Sequence, residues 1–411
     1  MPKISSIKAH KIVDSRGVWT VDTKVTLENG LSIEQPVPSG ASRGENEAIY
    51  LPVEKSIEII NGPLSDALVG EDPSDQKKID SIMLEMDGTH NKSHLGGNSI
   101  LSISLAVSKL AAITTGVELY EYLSQLYGVP INKSKSIKFP TPLFNVLNGG
   151  KHAQNKLSFQ EFMIIPAQGL AFKKKMEMGV EIYHSLKKLL MDEGLAVGVG
   201  DEGGFAPDNL TVHKALEMLM RAVKVSHEPG KDVFLGMDVA AESFESEKQY
   251  NITEENLSLT TPEFAKYYQN IVMEFPLIYV EDPFYERDFE GWKLFHDSFA
   301  ERLLVVGDDL VVTNPNILKK TLPKNLINAV IVKPNQVGTL TETLEFIRLA
   351  KENGLQIAVS HRSGDNPEDS FIADLALAVE ADFIKSGAPV RGERIVKYNR
   401  LLDICSDLGI E

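Results

Sequence analysis

The chain has 411 residues, 43% of them hydrophobic, with 42 Lys and Arg against 58 Asp and Glu, a formal charge of −16 and a pI near 5.1. That length predicts two or three domains, one of which can be a large barrel, since a (β/α)₈ unit needs ~250 residues. The acidic balance sets aside nucleic acid and anionic lipid, which call for basic patches, but leaves room for an anionic substrate at a locally positive site. With Cys405 as the only cysteine no intrachain disulfide can form, and a cytoplasmic location is expected. The start, Met1-Pro2-Lys3-Ile4-Ser5-Ser6, has no apolar core of signal-peptide type, and no run of ~18 apolar residues predicts a membrane span.

Residues Ile4 to Ile12 read as a strand, and Val21, Thr23, Val25 and Leu27 share one face of a second by alternation. Asn29-Gly30 is a hairpin turn, with Leu31 to Val37 returning. Ile57 to Leu68 and Ser99 to Ile113 have helical periodicity, which completes an α+β unit, and the polar stretch Asn132 to Ser136 reads as a linker. Beyond it, short apolar runs each end in a charged or polar residue: Asp238, Glu281, Asp308, Lys333, His361 and Lys385, spaced 43, 27, 25, 28 and 24 positions apart. Strands alternating with helical patterns predict a parallel sheet, and in a barrel the C-terminal strand ends meet at one mouth. Singly each residue reads as a loop charge or a helix cap; six in succession read as a site.

Asp238, Glu281 and Asp308 are hard oxygen ligands, too few to form a closed cage, and so suit Mg²⁺. Lys333 and Lys385 stand beside them, and a lysine near a divalent cation and a second lysine is expected to release its proton more readily and act as a general base. Gly200-Asp201-Glu202-Gly203-Gly204 places an acid in a glycine-rich bend, with Glu161 near enough to share a proton. Ser360-His361-Arg362-Ser363-Gly364 offers a guanidinium, a hydroxyl and a predicted helix start, which suit a phosphate or carboxylate.

Ile331-Val332-Lys333-Pro334-Asn335-Gln336-Val337-Gly338-Thr339, Ser360 to Gly364, Asp201 to Pro207 and Asn145-Val146-Leu147-Asn148-Gly149-Gly150 resemble enolase motifs. So do Gly307-Asp308-Asp309-Leu310, Lys385-Ser386-Gly387-Ala388-Pro389, Asp14-Ser15-Arg16-Gly17 and Pro38-Ser39-Gly40-Ala41-Ser42, all in the family's order. The resemblance implies an N-terminal α+β capping domain over residues 1–131 and an enolase-type β/α barrel over 137–411 whose first strands are antiparallel. It further implies reversible Mg²⁺-dependent dehydration of 2-phosphoglycerate to phosphoenolpyruvate, in glycolysis and gluconeogenesis. Carried over by position, Lys333 is the base, Glu202 the acid and Glu161 its partner. Asp238, Glu281 and Asp308 match ligands of a first Mg²⁺, and Ser42 a contact to a second. His152, Gln160, His361, Arg362, Ser363 and Lys385 match substrate contacts. A small anionic phosphorylated substrate and a homo-oligomer, dimer or higher, are implied as partners.

The sequence departs from the family pattern at Arg43 and Lys151, where Thr and Ser are usual, at Val18-Trp19, and in a shortened stretch after Glu47-Ala48. These changes keep a second reading open, an enolase-like lyase acting on a related phospho- or phosphono-carboxylic acid. A third, a non-catalytic binding or scaffold protein, is opposed by the intact Lys333, Glu202 and carboxylate trio.

Overall fold

A computed structural model describes residues 1–40, 44–133 and 137–410. Ser42, Arg43 and the linker residues Ser134, Lys135 and Ser136 thus lie outside the described residues. Strands β1 (Ile4–Val13), β2 (Trp19–Leu27) and β3 (Ser32–Pro36) form an antiparallel sheet in that order. The alternating face of β2 is buried, and Thr23 on it donates its hydroxyl to Ser102 at 2.7 Å. Ser102 belongs to the helix Gly97–Thr115, two residues longer at each end than its periodicity suggests. By length and composition that helix could cross a membrane, but 83% of its apolar window is buried inside the protein, as in a core helix.

The helix expected over 57–68 is broken. Val53–Ile59 passes through a π turn at Ile60–Leu64 into Ser65–Leu68, because Pro63 has no N–H to give and Gly62 leaves helical geometry. At this turn Asn61 clamps β1, accepting from the amide of Ala9 at 2.7 Å and donating to its carbonyl at 3.2 Å.

The rest is a closed eight-stranded barrel of β4 (Thr141–Asn148), β5 (Glu161–Pro166), β6 (Val233–Asp238), β10 (Leu277–Glu281), β11 (Leu304–Gly307), β12 (Ala329–Val332), β13 (Gln356–Ser360) and β14 (Phe383–Lys385). All six runs read from the sequence are parallel neighbours, β6 through β14, and only β5 runs against the others. The reversal puts the first residue of β5, Glu161, at the same rim as the last residue of β6, Asp238, with which it is in register.

The long 43-residue step between Asp238 and Glu281 holds an unforeseen antiparallel meander, β7 (Glu245–Ser246), β8 (Gln249–Ile252) and β9 (Leu257–Thr260). Tyr250 and Phe264 stack there with ring centroids 4.5 Å apart. Just past β8, Glu254 accepts from the Ser158 amide and hydroxyl at 3.0 and 2.5 Å, so the meander anchors the loop that carries His152.

The α+β unit covers the rim near β12 and β13. Ser39 and Gly364 exchange two backbone hydrogen bonds of 2.8 Å, the Ala48 amide donates to Gln336, and Lys92 pairs with Glu342 at 2.6 Å. Asp14 accepts from the Ser39 hydroxyl at 2.7 Å, so the Asp-Ser-Arg-Gly and Pro-Ser-Gly motifs brace each other and the segment 363–365.

At the opposite end, the buried Lys175 of the helix Phe172–Asp192 donates to the Thr141 hydroxyl at 2.9 Å. Burial, then the charge of Lys138, pushes its ammonium pKa from 10.5 down to about 8. A depressed lysine penalises the fold below about pH 8, and the penalty fades as pH rises toward 10.5, since the unfolded chain then binds more protons. Lys175→Met is therefore expected to stabilise the protein by about 1–2 kcal/mol near neutrality, after the lost Thr141 contact is counted. Thermal melts should show that gain vanishing near pH 10; a gain independent of pH would contradict this reading.

Candidate active site

Strand register brings the acids to one rim: Glu161 beside Asp238, and Asp238 beside Glu281. Into their midst reaches Lys385 from the end of β14, its Nζ 3.0 Å from Glu161, 3.0 Å from Asp238 and 2.9 Å from Glu281. Burial opposes its charge, but the surrounding carboxylates overcome this and hold the pKa well above the ordinary lysine value. Lys333, just past β12, pairs with Asp308, and its backbone amide donates to Thr313 at 2.9 Å. Its pKa too is raised, burial being outweighed by Asp308. Each lysine is thus held by carboxylates, Lys333 by Asp308 and Lys385 by Glu161, Asp238 and Glu281; the easier proton loss expected of Lys333 belongs to a site that also holds a divalent cation. Glu281 is pushed up to about 7 by burial and by Asp238, and Asp308 is lowered because Lys333 overcomes its burial.

The six strand-end residues do line or border one pocket, whose wall carries seven carboxylates against the four cations Lys151, Lys333, Arg362 and Lys385. Asp238, Glu281 and Asp308 are not, however, the carboxylates whose oxygens approach most closely. Ligand atoms within 4.8 Å of one another belong to Asp282, Asp308 and Asp309, and to His152, Glu161 and Glu202. The lysines explain this, one seated between Asp238 and Glu281 and the other on Asp308. Asp282 acts as a brace, accepting from the amides of Asp308 and Asp309 at 2.9 Å each. Both clusters could hold a metal ion. The rim suits a hard divalent cation, being built from oxygen donors in excess, and Glu281 Oε1 is buried without a hydrogen-bond partner among the described residues.

Across the mouth lies the second group. Gly200 and Gly203 shape the bend that carries Glu202: a Cβ on Gly200 would fall 2.5 Å from the His152 carbonyl oxygen, and Gly203 has φ +87°. Glu202 accepts from Asn145 at 3.1 Å and lies 3.2 Å from His361 Nε2. His152, ending a short 3₁₀ turn, presents Nδ1 at 3.5 Å from Glu161 and 3.7 Å from Glu202. Burial lowers the pKa of His152 and takes His361 down to about 3, so both rings are neutral. Burial and the neighbouring Glu202 raise Glu161 well above the carboxylate range; Glu202 lies below it, its burial opposed by His361 beside it and by the Arg394 charge behind. Of the two carboxyls, Glu161 is thus the one whose surroundings favour the protonated form.

Gln160 donates to Asp238 at 3.3 Å. Arg362 donates to Glu47 at 3.1 and 3.2 Å and to Asn335 at 3.3 Å, and Ser363 is buried beside it. The helix start expected at Gly364 is absent; the segment instead bridges to Ser39, and the next helix begins at Phe371. Sequence reasoning overlooked Asp282, Glu47, Asn145 and Arg394. Only Asp282 left a trace, as the second acid of Glu281-Asp282-Pro283.

Compared with known families, residues 4–123 match the enolase N-terminal domain and residues 136–411 the enolase C-terminal TIM barrel domain. The chain belongs to the enolase family. Its N-terminal α+β unit followed by a closed barrel is the enolase architecture, and the chain is accordingly a lyase of the enolase superfamily.

Proposed function

We propose that this enolase-family chain catalyses the reversible, Mg²⁺-dependent dehydration of 2-phosphoglycerate to phosphoenolpyruvate. The observation that carries the reading is the placement of the base and the acid pair: Lys333 follows β12, whereas Glu161, the partner that meets the acid Glu202 across His152, opens β5, four strands away in a ring of eight. An elimination needs that separation, one group at the C2 hydrogen and another at the C3 hydroxyl.

Asp238, Glu281 and Asp308 would hold the cation, with Ser42 as the contact to a second. When bound, Mg²⁺ supplies positive charge to the substrate carboxylate and engages Asp308, which weakens the hold of Lys333 on its proton. Lys333, once deprotonated, takes the C2 proton, and the C–H electron pair spreads into the substrate carboxylate as an ene-diolate; in a second step that pair forms the C2–C3 double bond as the C3–O bond breaks. Glu202, supplied by the proton held on Glu161, protonates the departing hydroxyl, and water leaves. Lys385, kept as an ammonium, offsets carboxylate charge, while Arg362, Ser363, His361, His152 and Gln160 bind and orient the substrate. A cytoplasmic location, supported by Cys405 as the only cysteine, belongs to the same proposal, as do a glycolytic role and a homodimer or higher oligomer, which rest on family membership.

The test is ultraviolet detection of phosphoenolpyruvate formed from 2-phosphoglycerate. Activity is expected with Mg²⁺, to vanish in excess chelator, and to return on re-addition of the ion; full turnover in chelator would sink the metal assignment.

One observation favours the second reading, a more anionic phospho- or phosphono-acid. Lys151 is exposed on the pocket wall, and no ion pair or hydrogen bond neutralises it among the described residues, whereas Lys333, Arg362 and Lys385 are all paired. If 2-phosphoglycerate is the substrate, Lys151→Ser is expected to raise KM about 2- to 5-fold at constant kcat, the size of a solvent-screened charge contact. Improved turnover of 2-phosphoglycerate would instead favour the larger substrate.

A further inference from the structure

Arg394, on the helix Gly392–Asp407, is fully buried behind the site and does not itself line the pocket. Its guanidinium joins two segments: Nη1 donates to the Arg362 carbonyl at 2.7 Å, and Nη2 to the carbonyls of Ser363 and, at 3.3 Å, Asp201. Nη1 also contacts His361 Nδ1. A guanidinium only donates, and it keeps its proton at any pH the protein survives. His361 Nδ1 must therefore be the accepting nitrogen. A neutral ring then carries its single proton on Nε2, the nitrogen that faces Glu202 Oε2 at 3.2 Å.

We propose that Arg394 is a positioning residue that locks His361 in its Nε2–H tautomer, so that the ring turns its N–H, and not a lone pair, toward the Glu202 carboxylate. The opposite tautomer would aim an imidazole lone pair at the carboxylate, and Glu202 would relieve the repulsion by taking the proton itself. Arg394 thus sets which face of the imidazole Glu202 meets without reaching the carboxylate. The consequence for turnover rests on the proposed dehydration; the tautomer does not.

The test uses the full chain labelled with ¹⁵N-histidine, with the His361 ring signals identified by their loss in His361→Gln. Wild type is expected to show one protonated nitrogen, Nε2, unchanged from about pH 6 to about pH 9, where an ordinary histidine titrates. Arg394→Met should populate the Nδ1–H form and lower kcat by about 10- to 100-fold, as for loss of a partner that fixes a ring's tautomer, with KM little changed. Arg394→Lys, which still donates to Nδ1, should keep the tautomer and recover part of kcat. An Nδ1–H ring or an imidazolium in wild type overturns the proposal, as does an unaltered tautomer in Arg394→Met. Should Arg394→Met fail to fold, the wild-type and Arg394→Lys spectra decide. Because the spectra need no substrate, an inactive protein with the Nε2–H ring would count against the proposed reaction and not against the role of Arg394.

Discussion

Lys333→Ala is expected to abolish exchange of the substrate C2 proton with solvent and to slow dehydration by about 10²- to 10⁴-fold, the usual contribution of a positioned base. Glu202→Gln should slow dehydration comparably yet retain C2 exchange. The two groups have different partners among the described residues: Lys333 meets Asp308, while Glu202 meets Asn145, His152 and His361. Removing the acid leaves the base and its carboxylate in place, so the first bond can still break and re-form. Isotope exchange in heavy water, read apart from phosphoenolpyruvate release, distinguishes the two. Equal loss of exchange in both variants would mean that the roles are misassigned, or that the steps are too tightly coupled to be separated.

Lys385→Met should be the most damaging single change to stability, at about 3–5 kcal/mol, because it leaves buried carboxylates without their shared cation. Glu161, Asp238 and Glu281 all lie within 3.0 Å of that ammonium, and none is more than 4% exposed. The sign with pH follows from the same charges. Without Lys385 the three acids bind protons more tightly in the fold than in the unfolded chain, so the deficit should be largest at neutral pH and shrink in acid. Mg²⁺ should recover part of the lost melting temperature by mass action on the folded state. A melting temperature equal to wild type at neutral pH would show that the cluster relaxes or hydrates without cost.

The barrel's parallel part was legible because each strand ends on a residue that differs in kind from the apolar run before it; Asp238, Glu281 and Lys385 needed only that contrast. The meander at 245–260 was not, because its strands are two to four residues long and are held by Tyr250, Phe264 and their aromatic neighbours, not by a period of their own. The π turn escaped for a related reason: Gly62-Pro63 breaks a pattern whose apolar spacing still reads as one helix. In the site, residue types were readable and their pairing was not. Nothing in the order of residues tells that Lys385 settles among three acids, that Glu161 and Glu202 both meet His152, or that Arg394 lies behind His361, since each depends on which side chains the closed ring brings face to face.

Glu47 has a consequence for modularity. It comes from the capping domain, yet its carboxylate grips Arg362, which stands on a barrel loop and is buried with it. Ser39, from the same domain, zips to Gly364 two residues on. The anion-binding arginine is thus finished by a part of the chain synthesised some three hundred residues earlier, and a barrel made alone would present a hydrated, wandering guanidinium. Grafting this barrel beneath a cap without a carboxylate in the place of Glu47 would carry the lysines and acids across intact and still cost the arginine this partner, so cap and barrel are best exchanged together.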